Sequence, residues 1–277
     1  MANASSTGCR VLADAVHSMH DHTPLTILWQ DEDMVAVHKP AGWLVHRTGL
    51  DAHETRFVMQ TLRDQLGRHV YPVHRLDKGT SGVLLMALHT DAARALSQAF
   101  EAQQVDKRYI AMVRGWPLEL SWQIDYALRQ EDAPLDAAPQ SARTDFRRLA
   151  TLQLDVPVDR YPSTRASLIE AMPHTGRRHQ IRRHLKHTSH PIIGDATHGK
   201  GPHNRWWAQH LGGQRLWLHA LSLSITHPST AQRMTFISPL NPGATHGHLN
   251  QDWHSLLSAR SWQFDIAETE RIELLGA

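Results

Sequence analysis

The run VLLMAL at residues 83–88 is the stretch of this chain with the fewest ways to fold. It follows directly on a polar, Gly-bearing loop, HRLDKGTSG at 74–82. A short apolar run bounded by turn residues reads as a buried strand. Thr90 follows as an N-cap, with Asp91 in the first turn and Leu96 and Phe100 at helical spacing, so the strand passes into a helix.

The same alternation recurs elsewhere. Residues 34–38 form a short β-prone run that Lys39-Pro40-Ala41-Gly42 turns away. In KRYIAMVRG at 107–115, Tyr109, Ala111 and Val113 share one face of a strand, and Ile110 and Met112 share the other. Leu221, Leu223 and Ile225 alternate again before His227-Pro228 closes that strand. Strands and helices interleave without a strict βαβ rhythm, which predicts a mixed α+β fold with a largely antiparallel sheet. Residues 130–143, with two prolines among small and charged residues, read as an exposed connection between two halves. Residues 1–24, which hold His17, Met19, His20 and His22, show no sustained apolar period and read as a disordered N-terminal tail, with order beginning near Leu25.

With 277 residues the chain is long enough for a sizeable core, and 41% apolar against 20% charged residues is ordinary globular composition. Cys9 is the only cysteine, which excludes an intramolecular disulfide and a zinc site built of several thiolates, and favours a reducing cytoplasm. The apolar runs are far too short for a membrane span, and the N-terminus lacks a secretory pattern, so neither membrane insertion nor secretion is expected. Net charge is only +2, yet RRHQIRRHLKH at 177–187 holds five Lys/Arg residues and no acid, a suitable footprint for phosphates. Within it Ile181 and Leu185 make an apolar stripe that leaves Arg178, Arg182, Arg183 and Lys186 for other faces.

Asp77 stands in the 74–82 loop between Arg75 and Lys78, where neighbouring cations favour its charged, nucleophilic form. From the residues alone, a surface ion pair explains the same pattern. The motif decides between them, because HRLDKGTSGVLLMAL resembles the signature of the RluA family of pseudouridine synthases. Two further segments match in the same order: KRYIAMVRG, and TGRRHQIRRH at 175–184 followed by HPIIGD at 190–195.

That resemblance implies a pseudouridine synthase fold over residues 25–277 with a central catalytic cleft, no cofactor and no metal. It implies Asp77 as nucleophile, Tyr109 as the active-site tyrosine against the target base, and Arg177 as the basic partner of the carboxylate, with Arg182 as the alternative. Arg75 would fill the space left by the flipped nucleotide, with His74 beside it. Leu218, in LWLHA, would line the uracil pocket, and Arg178, Arg182, Arg183 and Lys186 would meet RNA. GWLVHR at 42–47, MQTLRDQLGRHV at 59–70 and RYPSTR at 160–165 resemble the subgroup acting on uridine 65 of tRNA. The expected partner is therefore tRNA, with no obligatory protein partner, a monomeric state and no S4-type domain before Leu25. The competing functions are modification of ribosomal RNA or another tRNA position, a non-catalytic RNA-binding protein, a nucleoside hydrolase using the same aspartate, and a metallohydrolase using the histidines.

Histidines number 22, and His184, His187 and His190 lie close in sequence, but no HExxH pattern or cysteine partner accompanies them, so no metal site is expected. Trp206-Trp207 beside Arg205 is read as packing.

Overall fold

The run expected as a buried strand is the centre of the protein. In the computed structural model, which describes residues 23–46, 54–134, 136–240, 249–258 and 262–275, all seven residues of β4 (Ser81–Ala87) are buried. The neighbouring strands are β1 (Ile27–Gln30), β2 (Met34–Lys39) and β3 (Tyr71–Pro72). β2 and β4 are covered on both sides. Val35, Val37, Leu84 and Met86 pack under α1 (Val58–Leu66), while Met34, Ala36, Val83, Leu85 and Ala87 pack under α2 (Thr90–Glu101). That double cover explains an unbroken apolar run rather than an alternating one. The cap of α2 lies one residue earlier than the sequence suggests: His89 is extended, and its Nδ1 accepts the Ala92 N–H at 3.3 Å.

The second half supplies β5 (Asp106–Arg114), β6 (Ser121–Asp125), β7 (Arg143–Leu154), β8 (Thr164–Pro173), β9 (Leu218–Thr226), β10 (Arg233–Ile237) and β11 (Gln263–Phe264). Its helices are α3 (Gln180–His187), α4 (Gly201–Leu211), α5 (Gln251–Ser258) and α6 (Glu268–Leu275). All eleven strands of the described residues belong to one sheet, with main order β1-β2-β4-β9-β5-β8-β7-β11. Every strand pairing in it is antiparallel except β4 with β9, so the expected α+β class and largely antiparallel sheet hold.

The β4–β9 junction positions the site. Ser81 and Gly82 pair with His219 and Ala220, which sets the 74–80 loop and the start of β9 side by side. Gly82 has φ +113°, and a Cβ there would lie 2.2 Å from the Ala220 carbonyl, so only glycine lets the strands approach. β5 runs antiparallel to β9 and places Tyr109 opposite Ala220. The loop before β4, the start of β9 and the body of β5, which carry Asp77, Leu218 and Tyr109, thus converge at mid-sheet.

The 130–143 segment is not a free connector. Leu128 and Gln140 bridge, Tyr126 N–H donates to the Ala142 carbonyl at 3.0 Å, and the loop folds against α3. The expected N-terminal tail lies, but for its last residues, outside the described residues.

Candidate active site

A cleft of about 680 Å³ opens at this convergence, lined among others by Arg75, Asp77, Tyr109, Arg182 and Leu218. Asp77 sits in a turn closed by the Thr80 N–H donating to its carbonyl at 3.0 Å. The turn is held from beneath by Lys39, whose Nζ donates to the carbonyls of Thr80 at 2.7 Å, Pro40 at 3.0 Å and Lys78 at 3.1 Å. The Lys39 side chain is fully buried, which pushes its ammonium down to about 7, while Asp77 opposes the shift. In the sequence Lys39 reads only as part of a turn. Its position in the cradle comes from long-range pairing, since β2 meets β4 through Lys39↔Gly82.

The partner of the carboxylate is Arg182. Its Nη1 donates to Asp77 Oδ2 at 2.9 Å, while its Nε and Nη2 grip the two oxygens of Asp195 at 2.7 and 2.9 Å. Burial opposes charge on both Arg182 and Asp195. Their fork-to-fork contact wins, holding the guanidinium above its ordinary value and, with the His198 N–H, the Asp195 carboxyl below its own. Arg177, the first-choice partner in the sequence, is not in this contact: its Nε donates to the Ser141 carbonyl at 3.0 Å. The reason is helical phase. Residues 177–179 precede α3, whereas Arg182 lies on the same inward face as Ile181 and Leu185, all three buried.

Tyr109 and Leu218 form the opposite wall. Leu218 is buried as the first residue of β9. Burial, reinforced by the Asp77 charge, raises the Tyr109 hydroxyl pKa well above its usual value, so the hydroxyl keeps its proton at neutral pH. His74 lines the cleft, but its Nε2 accepts the Leu85 N–H at 2.9 Å and its ring stacks on Phe100 at 4.6 Å, which makes it a brace for β4. Arg75 is exposed at the mouth, and Lys186 is exposed on α3 outside the cleft lining. Arg178 pairs with Asp132 and Glu131, and Arg183 Nη1 donates to the Arg129 carbonyl at 2.8 Å. Residues 126–134 and 136–142 thus form the outer wall of the site, held by Arg178 and Arg183 of the basic row expected to meet RNA.

His179, between that row and α3, was not singled out by its sequence. Its backbone is left-handed at φ 55°, and its Nε2 stands 3.9 Å from Asp77 Oδ1. The histidines that are close in sequence disperse instead: His184 bonds Thr144 and the Tyr126 carbonyl, His187 stacks on Tyr126, and His190 bonds the Arg114 carbonyl. Trp207 is buried against the core, with Trp206 packed at its edge.

A carboxylate held on one oxygen by a fixed guanidinium, beside an apolar wall and a protonated phenol, suits nucleophilic attack on a planar base or its sugar. The family model for RNA pseudouridylate synthase matches residues 33–187. The tRNA pseudouridine synthase C of Yersinia pestis is 47% identical over 256 residues, covering 90% of this chain and 96% of that protein. The protein of the same name from Pasteurella multocida is 48% identical, covering 87% and 98%. Among solved structures, human RNA Pseudouridylate Synthase Domain Containing 1 superposes with a TM-score of 0.67 over 92% of this chain and 96% of that one, at 24% identity, and shares the fold.

Proposed function

The chain belongs to the RNA pseudouridylate synthase family, and from that membership we propose that it isomerises uridine to pseudouridine in tRNA, at uridine 65 of the T stem, with Asp77 as nucleophile. The observation that carries the reading is the Asp77–Arg182 pair facing Tyr109 and Leu218 in one cleft. The similarity to tRNA pseudouridine synthase C, over nearly the whole length of that enzyme, supports tRNA over ribosomal RNA.

The isomerisation breaks the bond from N1 to the ribose, turns the freed uracil, joins C5 to the sugar, releases the C5 proton and leaves N1 carrying a proton in its place. Nothing is gained or lost overall, so a nucleophile, a retaining pocket and a proton acceptor suffice. Arg182 occupies Asp77 Oδ2 and leaves Oδ1 for the attack. Tyr109 and Leu218 hold the detached base, the ring offering a stacking face and the hydroxyl a hydrogen bond. Because Tyr109 stays protonated, its oxygen takes the C5 proton only by passing its own to a second acceptor, a role we assign to Asp77 once its carboxylate is released. A uracil in a stem has to be extruded first, at a cost of a few kcal/mol, and exposed Arg75 is the side chain we assign to support the opened helix. Arg178, Arg183 and Lys186 supply phosphate contacts, the first two by exchanging their partners in the 126–142 wall for RNA.

We place the enzyme in the cytoplasm as a monomer acting without a cofactor, its catalytic domain covering residues 25–277. Among the described residues no helix is long and apolar enough to cross a membrane. The test is incubation of the protein with unmodified tRNA and with ribosomal RNA fragments, following tritium release from uracil C5 and mapping the modified base. Pseudouridine at position 65 with RNA mass unchanged is the expected result. Free uracil would mean a hydrolase, and binding without either product would mean a non-catalytic RNA-binding protein.

A further inference from the structure

Three side chains meet beside the cleft from separate segments, and of them only His179 lines it: Glu131 from the outer wall, His179 from the turn into α3, and His198 from the loop after Asp195. His179 Nδ1 is 3.2 Å from Glu131 Oε1 and 3.2 Å from His198 Nε2, and His198 Nε2 is 3.4 Å from the same Glu131 oxygen. Three donor atoms at these separations outline one face of a tetrahedron. With metal bonds of about 2.0–2.1 Å, a tetrahedral zinc site has ligand atoms about 3.3 Å apart.

We propose that Glu131, His179 and His198 form a binding site for a divalent transition metal of the zinc class. Two imidazoles and one carboxylate suit that ion and leave its fourth position open to water. The tautomers agree with it. With Nδ1 on the metal, His179 carries its proton on Nε2, the nitrogen that faces the Asp77 carboxylate at 3.9 Å, beyond hydrogen-bond reach but close enough for that charge to favour the proton there. The site is hidden in the sequence because its members stand at 131, 179 and 198 and follow no metal-ligand spacing. Because Glu131 belongs to the outer wall and His179 to the turn into α3, a bound ion fastens the wall over Asp77 and slows RNA entry. This last effect rests on the reaction proposed above; ion binding does not.

The test uses the full chain, freed of metal by chelation and titrated with zinc against a chromogenic chelator. Wild-type protein is expected to take up one equivalent with a Kd of about 1 μM or tighter. His198→Gln and Glu131→Gln are each expected to weaken that equivalent at least about tenfold. Glu131 is exposed, so its replacement leaves the fold intact. A variant with His17, His20 and His22 changed to Asn should retain the tight equivalent. Cobalt in place of zinc should give the strong visible absorption of a tetrahedral site, lost in Glu131→Gln. A tight equivalent that survives both substitutions, or disappears with the tail histidines, overturns the site, as does the absence of any tight equivalent. If zinc binds as expected but one equivalent leaves tritium release in the wild type unchanged, the fastening role is overturned. An RNA assay negative in every condition refutes the reaction and not the site.

Discussion

Removal of the Arg182 guanidinium is the sharpest probe of how the site is held. In Arg182→Met a side chain of similar reach stays in the interior, but two hydrogen bonds to Asp195 and one to Asp77 vanish. Asp77 is partly exposed and recovers hydration. The Asp195 side chain has no exposed surface and keeps only the N–H groups of Thr197 at 3.0 Å and His198 at 2.8 Å. Breaking a buried pair by deleting one partner costs about 3–5 kcal/mol, because it strands the other charge. In a chain of this size that lowers Tm by about 6–10 °C. The pH dependence follows from the same charge. In the wild type Asp195 has a depressed pKa, so its contribution is present above the unfolded carboxyl pKa and lost as pH falls through the folded one. In the variant burial acts unopposed by the guanidinium, the folded carboxyl takes up a proton before the unfolded one does, and the deficit narrows between pH 7 and pH 5. Urea unfolding followed by fluorescence of the nine tryptophans measures both effects. Asp195→Asn, added to Arg182→Met, should restore part of the loss. A loss below about 1 kcal/mol, or strictly additive effects of the two substitutions, would refute the coupling. Arg177→Ala, outside this contact, should leave turnover close to wild type, whereas Arg182→Met should abolish it.

Asp77→Asn should abolish tritium release while RNA affinity stays within a few-fold, since phosphate contacts supply most of it; filter binding and tritium release read the two separately. Tyr109→Phe keeps the stacking face and loses the hydroxyl, so turnover should fall by about 10²–10⁴ with RNA binding retained, and the wild-type pH–rate profile should show no tyrosine ionisation up to pH 10. His38 and His219 are buried and pushed down to about 3, so both stay neutral in the folded protein while the unfolded chain protonates them near 6.5. Stability should therefore drop as pH falls from about 6.5 toward 3, by up to about 1.4 kcal/mol per pH unit for each, and His74, also pushed down to about 3 by burial, adds the same again; in a denaturation series between pH 6.5 and 5, His219→Gln should lose about a third of the slope these three contribute. Exhaustive chelation should leave turnover intact or raise it, and a loss restored by zinc alone would put a metal in the chemistry.

The sequence by itself determined the central strands and the loop that carries the proposed nucleophile. An apolar run behind HRLDKGTSG, and strict alternation at 107–115, are local signals. Strand periodicity and turn chemistry are local properties of the chain, and they survive into β4, β5 and β9. The basic segment at 177–187 was legible as a cluster but not in its division of labour. Only the phase of α3 against the sheet sends Arg182 to Asp77 and Asp195 while Arg177 meets the Ser141 carbonyl. The same holds for Lys39 and for the 126–142 wall. One looks like part of a turn and the other like a linker until β2–β4 pairing and the contacts with α3 bring them to the site. Which charges end up paired, buried or facing one another depends on distances between residues tens to a hundred positions apart. Asp77 and Arg182 are 105 residues apart in the chain and 2.9 Å apart in space, and closing that separation is work the folded sheet does and no local pattern encodes.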